Sequence, residues 1–192
     1  MTLFETIKID QGQIFNLDYH EQRLNRSRKI LFNSTDYLKL KDHLAPPDNH
    51  QLFRCKVTYA ENILEVNYYP YQVVPITSFK IIEADLDYAH KYLDRRQIDQ
   101  LFSLKGTCEE IIIIKDGLVT DTSKANIAVW HNQAWLTPGE PLLPGITRQR
   151  LLENKALTVA DISVEQLLGS ERIALMNAMI DFMVVENASY QL

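Results

Sequence analysis

Glycine is scarce in this chain: 192 residues contain six, at Gly12, Gly106, Gly117, Gly139, Gly145 and Gly169. No two are spaced to form G-x-G-x-x-G or a Walker loop, which excludes the usual nucleotide cradles. G-x-S-x-G, H-E-x-x-H and H-x-E…C-x-x-C are missing as well, so α/β-hydrolase and zinc-hydrolase chemistry lack their signatures. The two cysteines, Cys55 and Cys108, are far apart and form no C-x-x-C. They read as partly buried thiols rather than a disulfide or zinc framework, and a reducing, cytoplasmic setting is expected. Apolar runs stop at four residues, as in Ile111–Ile114, far short of the ~18 that a membrane span needs. MTLFETIKID carries no basic region followed by an apolar one, so no signal peptide is expected. Basic runs are lacking too; with a net charge of −5, nucleic acid is not an expected partner.

What is present is ordinary for a folded soluble chain: 46% hydrophobic and 23% charged residues. At ~100–200 residues per domain, the length suits one domain or two small lobes. Leu3 to Ile9 alternates as a strand, and Asp10-Gln11-Gly12 turns into a short return at Gln13–Phe15. Asp18 and Glu21 have the spacing of a capping box and predict a helix to Phe32 that carries Arg23. A second helix is expected over Asp36–Leu44, ending before Pro46-Pro47. Gln51–Tyr59 and Ile63–Tyr71 read as a hairpin, Ser78–Glu83 as a strand and Asp94–Leu104 as a helix. Two strand pairs follow, Ile111–Ile114 with Leu118–Asp121 and Asn126–His131 with Ala134–Thr137. Beyond them come a helix from Gly145, another at Val164–Leu168, and strands at Arg172–Met176 and Phe182–Val185. The class is α+β with mixed sheets, in a small N-terminal lobe (1–76) and a larger C-terminal lobe (77–192).

Five segments stand together in order: Phe4-Glu5-Thr6; His20-Glu21-Gln22-Arg23-Leu24; Tyr88 through Arg95, with Lys91-x-x-x-Arg95; Gly117 through Asn126, with Asp121; and Thr137-Pro138 followed by Pro141 through Arg148, with Gly145-Ile146-Thr147. In this order they resemble the class IV aminotransferase family, the fold-type IV pyridoxal-phosphate (PLP) enzymes that include branched-chain and D-amino-acid aminotransferases and aminodeoxychorismate lyase. The resemblance runs from about residue 3 to about residue 182. It implies the two-lobed fold of D-amino-acid aminotransferase, PLP as cofactor, and a homodimer.

The resemblance also implies roles. Lys91 is the Schiff-base lysine, suited to attack an aldehyde and then to shuttle a Cα proton. Asp121 falls where relatives carry a glutamate that keeps the pyridine nitrogen protonated, one methylene shorter here. Arg23 is the phosphate arginine, unless it is an exposed residue pairing Asp18 or Glu21. Gly145-Ile146-Thr147 opens a helix whose N–H groups suit an anion, Ile146 through its backbone and Thr147 also through its hydroxyl. Ala178 reaches the phosphate by backbone alone. Arg54 and Lys56 share a strand face where relatives bind a substrate carboxylate, and solvated cations are an equal reading. Tyr88, Tyr92 and Tyr68-Tyr69 either wall a pocket or fill the core.

The D-R-G-x-x-x-G-D-G stretch usual in the family does not precede Phe4 here, so a smaller or more open substrate pocket is expected. The implied reaction is transamination of a small amino acid to a 2-oxo acid. The alternatives are elimination of the aminodeoxychorismate lyase type, giving 4-aminobenzoate and pyruvate, and a non-catalytic PLP-binding protein.

Overall fold

The computed structural model describes residues 1–47 and 50–192. By their contacts these form two units: Met1–Val73 with His90–Asp94, and Val74–Ala89 with Arg95–Leu192. Among the described residues no helix is long and apolar enough to cross a membrane.

The first unit is a four-stranded antiparallel sheet, ordered β2 (Gln13–Ile14), β1 (Leu3–Asp10), β3 (Leu52–Tyr59) and β4 (Ile63–Pro70). Alternation decides its faces. Leu3, Ile7 and Ile9 of β1 point inward with Phe53, Cys55, Val57 and Tyr59 of β3, and helix α1 (Leu17–Phe32) adds Leu24 to that core. Each Leu, Ile or Phe so buried contributes ~1.5–3 kcal/mol. Glu5 takes an inward position in the same stripe and is fully buried.

Two expectations fail in this unit for local reasons. Helix α1 begins from Asn16, which has φ 53° and makes no side-chain cap, so Asp18 and Glu21 form no capping box. The helix expected over Asp36–Leu44 shrinks to a 3-10 turn at Leu40–His43. Side chains of α1 already hold the backbone that such a helix would use. Asn25 donates to Leu38 O and accepts from Leu38 N, at 2.8 and 2.9 Å. Arg28 donates to Asp36 O at 3.1 Å and grips the Asp36 carboxylate at 2.9 and 3.0 Å. A backbone group can satisfy one such geometry, not both.

The second unit is a mixed sheet ordered β10 (Thr158–Ala160), β9 (Ala134–Pro138), β8 (Asn126–His131), β7 (Leu118–Thr122), β6 (Glu110–Lys115), β5 (Ser78–Glu83) and β13 (Ser189–Gln191). β11 (Ile173–Asn177) pairs with β8 and with β12 (Asp181–Val185). The helices are α2 (Arg96–Ser103), α3 (Ile146–Glu153) and α4 (Val164–Leu168). The capping box of this fold is on α4, where Ser163 and Gln166 satisfy each other's backbone N–H. Both cysteines are free and fully buried rather than partly so; burial pushes the Cys55 thiol up to about 12, against a hydrogen bond from Tyr68.

Candidate active site

Helix α1 buries a face of unusual polarity: His20, Arg23, Leu24, Ser27 and Arg28, at i, i+3, i+4, i+7 and i+8. Arg23 is buried rather than exposed. Its guanidinium forks onto Glu5, with Nε donating to Oε1 at 2.8 Å and Nη2 donating to Oε2. His20 Nδ1 lies 2.6 Å from the same Oε2, with both side chains fully buried. Burial alone would raise the Glu5 pKa, but the charge of Arg23 and the hydrogen bonds from His20 and Arg23 outweigh it and bring Glu5 down to about 2. Burial also lowers His20, more than Glu5 raises it. The ring is therefore neutral near pH 7: Nδ1–H donates to the carboxylate, and Nε2 is a buried acceptor with no hydrogen-bond partner among the described residues.

β1 also sets Lys91. Phe4 N–H donates to Lys91 O and Leu93 N–H to Thr2 O, each at 2.9 Å, so His90–Asp94 is laid along the start of β1. The Lys91 ammonium then sits 4.7 Å from the centroid of the Phe4 ring, and Lys56 Nζ is 5.5 Å from the same ring. Arg54 stacks on Tyr69 at 5.2 Å. Register explains this grouping: Thr6 pairs Lys56 and Lys8 pairs Arg54, so the sheet face opposite the core carries Phe4 among cations. Tyr92 packs on the core and Tyr68 accepts from Ala45 N at 2.8 Å.

In the second unit Asp121 is buried on β7. Its Oδ1 accepts from Asn126 Nδ2 at 2.7 Å and its Oδ2 from Leu143 N at 2.9 Å. Burial pushes Asp121 up to about 7, against those hydrogen bonds and the charge of Arg148. The loop after it is pinned from several sides. Glu110, fully buried, accepts from Ser123 N at 3.3 Å; Arg95 donates to Ser123 O at 2.8 Å; Asn177 donates to Lys124 O at 3.3 Å. Arg95, in the segment that ends the Lys91-x-x-x-Arg95 spacing, thus serves the Asp121 loop.

α3 opens at Gly145 with no side-chain cap. Ile146 and Thr147 are its buried first residues, and the Thr147 hydroxyl, in a residue 1% exposed, has no hydrogen-bond partner among the described residues. A buried hydroxyl left unpaired costs ~1–3 kcal/mol, and a phosphate at this uncapped helix start would satisfy it along with the free N–H groups. The donor set therefore fits PLP. Ala178 lies in the turn between β11 and β12, where Asn177 Oδ1 accepts from Met179 N and Ile180 N at 2.9 and 3.1 Å.

Glu5, His20 and Asn126 were not singled out by the sequence reading. The signal for Glu5 was available: it is the one charge in an inward-facing alternation of Leu3, Ile7 and Ile9.

The sequence matches the amino-transferase class IV family profile over residues 2–188. It is 34% identical over 183 residues to an uncharacterized protein of Haemophilus influenzae, covering 92% of this chain and 97% of that one. The crystal structure of a Haemophilus somnus protein, provisionally assigned as a 4-amino-4-deoxychorismate lyase, is similar at TM-score 0.85 and 36% identity, covering 93% of this chain and 96% of that one. A hypothetical aminotransferase of Mycobacterium tuberculosis in PLP-bound form shares the fold at TM-score 0.80 and 18% identity, over 98% of this chain and 81% of its own. Matched along nearly its whole length, the chain belongs to the class IV aminotransferases, PLP-dependent enzymes of the aminotransferase and lyase type.

Proposed function

We propose that the protein takes the amino group from a small, carboxylate-bearing amino acid and yields the 2-oxo acid, with Lys91 holding the cofactor. The observation that carries this reading is the buried Thr147 hydroxyl, unpartnered among the described residues, at the uncapped start of α3. When bound, PLP supplies an electron-withdrawing ring that stabilises negative charge at the substrate Cα. Lys91 Nζ would take the Cα proton and deliver it at the cofactor's aldehyde carbon, the proton movement that amino transfer requires. Asp121 holds a proton at the pyridine nitrogen. Thr147 and the backbone N–H groups of Ile146 and Thr147 bind the phosphate, with Arg23 adding positive charge and Ala178 its backbone. Arg54 and Lys56 bind the substrate carboxylate from the cation-bearing sheet face.

A second reading is elimination rather than amino transfer. It is favoured by the 36% identity to the Haemophilus somnus protein assigned as a lyase. Both readings use the same proton transfer at Cα, so product analysis separates them. A 2-oxo acid from the donor with an aminated acceptor supports transfer, whereas pyruvate with 4-aminobenzoate from aminodeoxychorismate supports elimination.

The lysine assignment has its own test. Borohydride reduction of PLP-loaded protein followed by peptide mapping should find the pyridoxyl group on Lys91. Lys56 is the informative competitor, since its Nζ shares the Phe4 ring. A pyridoxyl group on Lys56 or any other lysine would overturn the assignment.

A further inference from the structure

β7 and β8 are paired at one point, Asp121 opposite Asn126. From there the Asn126 carboxamide does two things at once: Nδ2 donates to Asp121 Oδ1 at 2.7 Å and to Leu143 O at 2.8 Å. Both partners are acceptors, which fixes which end of the amide is nitrogen. Leu143 N returns a hydrogen bond to Asp121 Oδ2 at 2.9 Å, so carboxylate, carboxamide and the loop before α3 form a closed set.

Gly145 completes this arrangement. Its φ of −70° and ψ of 144° are open to any L-residue, so backbone freedom does not explain a glycine here. Space does: a Cβ would lie 2.0 Å from Asn126 Oδ1 and 3.1 Å from its Cγ. The amide seats against a bare Cα, one residue before the helix start that carries Thr147.

We propose that Asn126 is a positioning residue for the reaction: it orients the Asp121 carboxylate and ties it to the Leu143–Gly145 loop that enters α3, with Gly145 kept bare to seat the amide. This inference rests on the reading of Asp121 as the acid that holds the pyridine proton. The coupling means that the acid and the phosphate end of the site are set by one hydrogen-bonded unit rather than independently. Among the charges around Asp121, Arg148 of α3 acts in the same sense as the amide. Asn126 alone supplies a direct side-chain donor among the described contacts.

The test uses protein loaded with PLP carrying 15N at the ring nitrogen, whose NMR shift separates a protonated from an unprotonated ring. Asn126→Leu keeps the γ-branched shape, at a somewhat larger volume, and removes the donor. It should move the 15N shift toward the unprotonated form and slow the half-reaction about 10- to 150-fold, as expected for losing one hydrogen bond to a charged group. PLP affinity should fall less. Gly145→Ala alters neither polar group, yet should move the shift in the same direction by displacing the amide. Adding Gly145→Ala to Asn126→Ala, which makes room for the new methyl, should cause no further loss. If Asn126→Leu does not fold, the Gly145→Ala comparison decides alone. An unchanged 15N shift in the Asn126 and Gly145 variants, with Asp121→Asn strongly shifted, would overturn the positioning role and leave the reading of Asp121 intact. An unchanged shift in Asp121→Asn itself would overturn that reading and this inference together.

Discussion

Asp121→Asn is expected to slow Cα-proton removal by about two to three powers of ten, a loss of ~3–4 kcal/mol of transition-state stabilisation. Most of the cofactor should stay bound, because the other proposed contacts do not involve this carboxylate. The amide cannot keep a proton on the pyridine nitrogen, so the ring loses electron-withdrawing power when charge develops at Cα. Asp121→Glu restores the acid usual in the family and should retain far more activity than the Asn variant. Half-reaction kinetics with the fastest amino donor measure both; a wild-type rate in Asp121→Asn would remove the residue from the chemistry.

The same residue gives a stability signature in the cofactor-free protein. Burial raises Asp121 from its ordinary 3.8 to about 7. The folded chain therefore binds more protons here than the unfolded chain between about pH 4 and 7, and stability falls as pH rises through that window. The span corresponds to roughly 4 kcal/mol at most, and Asp121→Asn should flatten it in urea titrations run across pH.

Arg23→Ala is expected to act first on folding. It strands the fully buried Glu5 carboxylate, and breaking a buried ion pair from one side costs ~3–5 kcal/mol. That loss would obscure any change in phosphate affinity. Glu5→Gln paired with Arg23→Gln leaves no stranded charge and should cost far less in urea denaturation. A double variant as unstable as Arg23→Ala would refute the stranded-charge account. The pH dependence runs opposite to that of Asp121. Glu5 is held at about 2 against an ordinary 4.5, so its stabilisation is present above about pH 4.5 and lost as pH falls toward 2. The difference is about 3 kcal/mol. Glu5→Gln should remove that acid limb.

The strands of the first unit were legible because period-2 alternation is a direct image of a half-buried sheet. Phe53, Cys55, Val57 and Tyr59 fell where the pattern put them. The starts of α3 and α4 fell at Gly145 and at Val164, as the sequence pattern places them. Thr158–Ala160 and Ser189–Gln191 were missed, since three-residue edge strands pair with distant partners and carry no period of their own. Local propensity favours a helix over Asp36–Leu44 but carries no trace of Asn25 and Arg28, which claim its backbone. In the candidate site, residue types at motif spacings nominate Lys91, Asp121 and Thr147. They could not find Glu5, His20 or Asn126, whose roles exist only through side chains that long-range folding brings to hydrogen-bond distance.

The assignment of His90–Asp94 to the first unit, between stretches of the second, bears on how the chain can be made. A ribosome adding ~5–20 residues per second releases β1 through β4 well before Lys91. Until then the N–H of Phe4 lacks the carbonyl that accepts from it. The first unit is therefore finished only after its polypeptide has begun the second. Expression of residues 1–73 alone would give a sheet without its closing segment and without Lys91. Gene fragments meant to isolate that unit need residues 90–94 grafted back, not merely a later stop codon.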